Sequence, residues 1–205
     1  MDTLTEIPKK STESEIALKV AIQGYPGAFH DIASRHYFED KKIEIVPGHT
    51  FDDLVDLIKN KTADIGLMAI ENTLAGGIMS NYYRLLKTTS RPLGKFTSAS
   101  SKTSWLYRTR IEELIEAYSH PMAIAQCKKF FHPYHIRLIE AEDTALSAKM
   151  IANGKMEKTG AIASSLAADM YGLEMIAESI ETNKQNYTVF SIRTGRRTTH
   201  QRGCR

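Results

Sequence analysis

From residue 18 onward, short apolar runs of strand length alternate with segments whose apolar residues recur every three or four positions. Leu18 to Ile22 reads as a strand, Gly24 and Gly27 break it, and Ala28 to Phe38 reads as an amphipathic helix. Ile43 to Val46 forms the next strand pattern, and Thr50 is placed to cap a helix carrying Leu54, Leu57 and Ile58 on one face. Asp64 then leads into Ile65 to Ile70, an unbroken apolar run that fits a central parallel strand covered on both faces. This is βαβαβ wiring. After a helix over Ser80 to Lys87 a second series follows: helices Ile111 to Glu116 and Met122 to Phe131, strand Arg137 to Ile139, helix Thr144 to Asn153, strand Gly160 to Ala163, and helix Ser164 to Met170. A length of 205 residues fits two α/β lobes with a cleft between them better than one sheet. The pattern places residues 18–90 and 181–192 in the first lobe and 91–180 in the second, with a polar tail over 1–17 and a basic tail over 193–205.

The apolar run ending at Ile70 delivers Glu71, Asn72 and Thr73 off the end of a strand. Open α/β sheets bind ligands in the crevice beyond such strand ends, so these three are the first site candidates. A plain capping role for Asn72 or Thr73 on the next helix is the alternative. Gly24-Tyr25-Pro26-Gly27 is a turn pointing into a helix. Free backbone N–H groups there favour an anion, but an ordinary glycine turn is the better reading because phosphate-loop and dinucleotide patterns are absent. Ser119-His120-Pro121, followed by Gln126 and Cys127, is a helix start offering a hydroxyl and then an amide. A Ser/His catalytic pair is disfavoured there, since adjacent residues rarely face each other and the Gly-x-Ser-x-Gly context is missing.

Composition narrows the class. Hydrophobic residues at 42% and charged residues at 25% are ordinary for a globular protein. No apolar stretch is long enough to span a bilayer, and the polar start from Met1 to Lys19 has no signal-peptide core, so a cytoplasmic protein without a membrane partner is expected. Cys127 and Cys204 make neither a disulfide framework nor a CxxC pair, and His132 and His135 lie in a Pro-interrupted segment, so no metal is expected. The net charge of +3 comes from the end of the chain, where Arg193, Arg196, Arg197, Arg202 and Arg205 follow Phe190 without an acid and leave the remainder mildly acidic. With no aromatic interleaving, that tail argues against a nucleic-acid partner.

Together these segments resemble the catalytic domain of prephenate dehydratase over nearly everything from Val20 to Thr188. The blocks that carry the resemblance are Val20-Ala21-Ile22-Gln23-Gly24 with Gly27, Ala69-Ile70-Glu71-Asn72-Thr73 with Gly76, and Ser119-His120-Pro121 with Gln126-Cys127. Gly160-Ala161-Ile162-Ala163-Ser164, Ala167-Ala168 with Tyr171-Gly172-Leu173, and Asn186-Tyr187-Thr188 complete them. The resemblance implies two α/β lobes like those of type II periplasmic binding proteins, and conversion of prephenate to phenylpyruvate in phenylalanine biosynthesis. It implies no metal or organic cofactor, because a proton donor and firm placement of two carboxylates suffice. It makes Thr188 the hydroxyl donor, has Asn72, Gln126 and Ser119 hold the substrate beside Thr73, and leaves Glu71 a supporting role. Backbone amides near Gly27, Ala163 and Ser164 become carboxylate cradles. Family members resemble homo-oligomers, partly through a regulatory ACT domain that binds phenylalanine; no such domain is expected here, and no phenylalanine inhibition. A non-enzymatic two-lobe binding module of similar architecture is the competing reading.

Two stretches depart from the family pattern. Residues 95–108 replace an alternating apolar strand with a Ser/Thr-rich one; one choice of codons for them, read one base out of frame, gives Glu-Val-Tyr-Leu-Arg-Ile, which resembles the family strand, so a lost base near Gly94 and a gained base near Arg108 are the hypothesis. The family reads Thr-Arg-Phe where this chain has Thr188-Val189-Phe190, and a similar shift under one choice of codons gives that motif, which extends the same hypothesis to the residues after Thr188. With the arginine beside Thr188 replaced and Thr97, Ser98 and Ser101 at apolar positions, weakened turnover is expected.

Overall fold

The computed structural model describes residues 17–88, 90–99, 103–107, 113–154, 156 and 158–195. The chain runs β1 (Leu18–Gln23), α1 (Phe29–Tyr37), β2 (Ile43–Gly48), α2 (Phe51–Lys59), β3 (Ile65–Asn72), β4 (Gly76–Gly77), α3 (Met79–Lys87) and β5 (Arg91–Ala99). It continues through β6 (Thr103–Tyr107), β7 (Glu116–Ser119), α4 (Pro121–Phe131), β8 (Arg137–Glu140), α5 (Thr144–Ala152), β9 (Thr159–Ser164), α6 (Ser165–Tyr171), β10 (Glu174–Ala177) and β11 (Tyr187–Thr194). Local chemistry sets several starts. Thr50 opens α2 through a reciprocal capping box: its Oγ1 accepts from the Asp53 N–H at 3.1 Å, and the Asp53 carboxylate accepts from the Thr50 N–H at 2.9 Å. Pro121 stands at the first position of α4, where its missing N–H costs nothing.

Two sheets result. The first has the order β2-β1-β3-β11-β5, with β4 pairing the end of β3, and the second has the order β10-β6-β9-β7-β8. In the first, β1 is parallel to β2 and β3, whereas β11 runs antiparallel to β3 and β5. The expected central strand is therefore central, but parallel on one side only. Its run is unbroken because both faces are covered: Leu67 and Ala69 pack with Val20, Ile22, Phe190 and Ile192, while Met68 packs with Ala21, Leu54 and Ile58 of the α2 side. Each large apolar side chain so buried contributes about 1.5–3 kcal/mol.

The structure corrects four expectations. β5 joins the first sheet through β11, so the crossing between lobes falls between Ala99 and Thr103 and not after residue 90. No helix spans 111–116: residues 111 and 112 lie outside the described residues, and Glu116 opens β7, which pairs with β8 and β9. The basic tail starts later than 193, because Arg193 and Thr194 belong to β11; the Arg193 guanidinium donates to the carbonyls of Ser90 at 2.7 Å and Leu85 at 3.3 Å. Residues 196–205 lie outside the described residues. The altered stretch still forms parts of β5 and β6, with Thr97 exposed, Ser98 buried and Ser101 outside the described residues. The buried hydroxyl there that lacks a hydrogen-bond partner is that of Ser104.

The lobes meet along the turn between β1 and α1. Ser164 at the end of β9 donates to the Gly27 carbonyl at 2.6 Å, and Tyr171 of α6 donates to the Pro26 carbonyl at 2.7 Å. Ala28 packs in one cluster with Ala145, Ala148, Ala163 and Ala167 of the second lobe. Gly27 has φ +90, and a Cβ there would stand 3.1 Å from the Ala167 Cα, so a side chain is excluded both by conformation and by space. Among the described residues no helix is long and apolar enough to cross a membrane.

Candidate active site

A cavity of about 330 Å³ lies between the two sheets, with the ends of β3 and β11 on one wall and α4 on the other. Asn72 ends β3, and its register partner on β11 is Thr188. The Asn72 amide nitrogen donates to Asn186 Oδ1 at 2.7 Å, to Thr188 Oγ1 at 3.0 Å and to the Tyr187 carbonyl at 3.2 Å. Its Oδ1 accepts from the Leu74 and Ala75 N–H groups at 2.9 and 3.0 Å. Asn72 therefore ties a turn to a strand and caps no helix; α3 begins at Met79, after Ile78, without a side-chain cap. Asn186 passes the connection on by donating from Nδ2 to Gln126 Oε1 of α4 at 3.4 Å. Thr188, Asn72, Asn186 and Gln126 thus form one hydrogen-bonded chain across the cavity wall, and all four line it.

The other expected site residues stand elsewhere. Glu71 is exposed and does not line the cavity, because successive strand residues point to opposite faces. Its register partner on β11 is Val189, and among the described residues it forms no ion pair. Thr73 clamps the two strand ends: its Oγ1 accepts from the Tyr187 N–H at 2.9 Å. Ser119 is fully buried and donates to the Ile162 carbonyl at 2.5 Å. Of the cradle expected from backbone amides near Gly27, Ala163 and Ser164, the Gly27 amide is spent inside the protein and none of the three residues lines the cavity. The Gly27 N–H donates to the buried Asp31 carboxylate at 2.9 Å, Ala163 lies within β9, and the Ser164 hydroxyl bridges the Gly27 carbonyl and the Ala167 N–H.

Residues that the sequence reading did not single out complete the wall. His30 of α1 presents its ring edge to Phe190, with centroids 5.2 Å apart, and lies 5.8 Å from Phe51. Its Nε2 is buried without a hydrogen-bond partner, and burial pushes the imidazole pKa down to about 4, so the ring is neutral at pH 7. Glu142 and Asp143 follow β8, and the strand-end argument applied to that strand would have found them. Asp143 caps α5, accepting from the Leu146 N–H at 2.9 Å, and burial raises its pKa against the opposing effect of the backbone N–H groups of Leu146 and Ala145. Among the described residues lining the cavity there is no lysine or arginine.

The His30 shift has a measurable sign. Between pH 6.5 and about 4 the unfolded chain takes up a proton that the folded chain refuses, so this group makes stability fall as pH falls through that window. At about 1.4 kcal/mol per pH unit, it removes roughly 2 kcal/mol by pH 5. The raised pKa of Asp143 acts in the opposite direction, so the comparison must isolate His30. Urea midpoints at pH 7 and pH 5 are expected to separate more in the wild-type chain than in His30→Phe; equal separations would contradict the assignment.

The family profile described as prephenate dehydratase matches residues 20–196. Arogenate dehydratase 2 of Petunia hybrida is 30% identical over 198 residues, which cover 92% of this chain and 50% of that protein. Among solved structures, a quorum-quenching acylase named GqqA superposes with a TM-score of 0.77 at 26% identity, covering 88% of this chain and 65% of that one. Prephenate dehydratase of Arthrobacter aurescens in complex with L-Phe superposes with a TM-score of 0.77 at 20% identity, covering 88% of this chain and 61% of that one. The chain spans about half the length of the relative it matches. With its profile match running through both sheets, the chain belongs to the prephenate dehydratase family.

Proposed function

We propose that the chain is a hydro-lyase that converts prephenate to phenylpyruvate, with Thr188 as proton donor and Asn72 as the group that orients it. The bond between the ring and its carboxylate breaks, its electron pair enters the ring, and the C4 hydroxyl departs as water on taking a proton from Thr188, which solvent then restores. Carbon dioxide and water leave, and the aromatic product supplies the driving force. The observation that carries the reading is the Asn72 to Thr188 hydrogen bond at the cavity wall: a hydroxyl oxygen that accepts from an amide carries its own proton in another direction. Gln126 on the opposite wall, joined through Asn186, supports the same reading as a polar group facing Thr188 across the cavity. An acyl-transfer reading gains nothing from Ser119, whose hydroxyl is spent on a buried carbonyl. Cytoplasmic operation and assembly with further copies of the chain belong to this proposal through the family resemblance.

Val189 bears on efficiency. The family arginine at that position would stand opposite Glu71 in the β3 to β11 pairing, giving the carboxylate a cationic partner. Phenylpyruvate formation from prephenate is expected in the chain as it stands and is expected to rise in Val189→Arg. Binding of prephenate without product in both proteins would favour the binding-module reading instead.

A further inference from the structure

We propose that His30 contacts the substrate of this site, its Nε2–H donating a hydrogen bond to a substrate carboxylate. This rests on the dehydratase reading of the cavity. Two independent observations carry it. First, Nε2 is buried without a partner in the wall of the cavity, on a ring packed between Phe51 and Phe190. A purely apolar residue would fill that aromatic niche without stranding a polar nitrogen, and a buried nitrogen without a partner calls for one. Second, the described wall offers an anion no cationic side chain. Its acidic side chains are Glu142 and Asp143, and no lysine or arginine lines it among the described residues. The Asn72 amide nitrogen is already committed to three acceptors, and the Gln23 amide donates to the His49 carbonyl at 3.2 Å. Among the described lining residues the donors open to a dianionic substrate are neutral, and an imidazole that carries one proton supplies such a donor without adding charge beside the leaving hydroxyl.

The test measures prephenate turnover, and calorimetric affinity for prephenate and for phenylpyruvate, in the wild-type chain, His30→Phe and His30→Gln. The phenylalanine keeps the ring contacts and removes the donor; the glutamine returns a donor on a flexible stem. A hydrogen bond to a charged group of this kind is expected to weaken prephenate binding about 10- to 100-fold in His30→Phe, mainly in KM, with partial recovery in His30→Gln. Affinity within about threefold of wild type in His30→Phe would overturn the proposal. Wild-type binding without turnover would reject the dehydratase reading while the affinities still judge His30. Wild-type protein that neither binds nor converts prephenate would reject both.

Discussion

Thr188→Ala is expected to lower phenylpyruvate formation by about 10²- to 10⁴-fold, the range that a positioned proton donor contributes. The fold should survive. Thr188 lies near the open end of β11 on the cavity wall, while the strand's buried apolar anchors are Phe190 and Ile192. Thr188→Ser keeps the hydroxyl and should retain most of the rate, which separates loss of the proton from loss of shape. Rates measured at saturating prephenate, beside melting curves for both variants, check the claim. An alanine variant within tenfold of wild type would remove Thr188 from the donor role.

Asn72→Asp is expected to be worse than Asn72→Ala, in stability as well as in rate. The amide nitrogen faces three acceptors at once, on Asn186, Tyr187 and Thr188. A carboxylate keeps the shape but turns each donated bond into an oxygen against an oxygen. The Thr188 hydroxyl would then swing round to donate to the introduced carboxylate, withdrawing the proton from substrate. Loss of the donated bonds alone, as in alanine, costs about 0.5–1.5 kcal/mol each, and an ionised group held against unpaired acceptors adds a desolvation penalty. Urea denaturation is expected to rank wild type above Asn72→Ala above Asn72→Asp at pH 7, with prephenate turnover falling in the same order. A gap between the two variants that narrows as pH drops and the new carboxyl protonates would identify charge as the cause.

Much of this was legible from pattern. The Thr50 cap, the apolar run into Asn72 and the glycine turn after β1 are local signals, and each element stands where those signals put it. That a cavity opens at the strand ends was legible for the same reason, because it follows from sheet geometry and not from any single side chain. What was not legible depends on pairing between distant segments. Nothing local in Arg91 to Ala99 says that it will pair with β11 and so remain in the first lobe. Ser119 looked like a ligand group, since a hydroxyl's neighbours are invisible in a sequence; in the fold it is consumed by the Ile162 carbonyl. His30 was passed over because its ring meets Phe190 only through tertiary packing.

The order of strands also governs how the protein is made. β3 meets its partner β11 only after the whole second sheet has been laid down, so the first sheet closes through a loop of more than a hundred residues, whereas the second is contiguous from Thr103 to Ala177. Closing long loops late slows folding, because their entropy is lost before the pairing contacts repay it. On a ribosome the second lobe can mature while the first still lacks its strand between β3 and β5. Thr188 arrives with that strand, so the proposed proton donor reaches the cavity in the same event that seals the sheet.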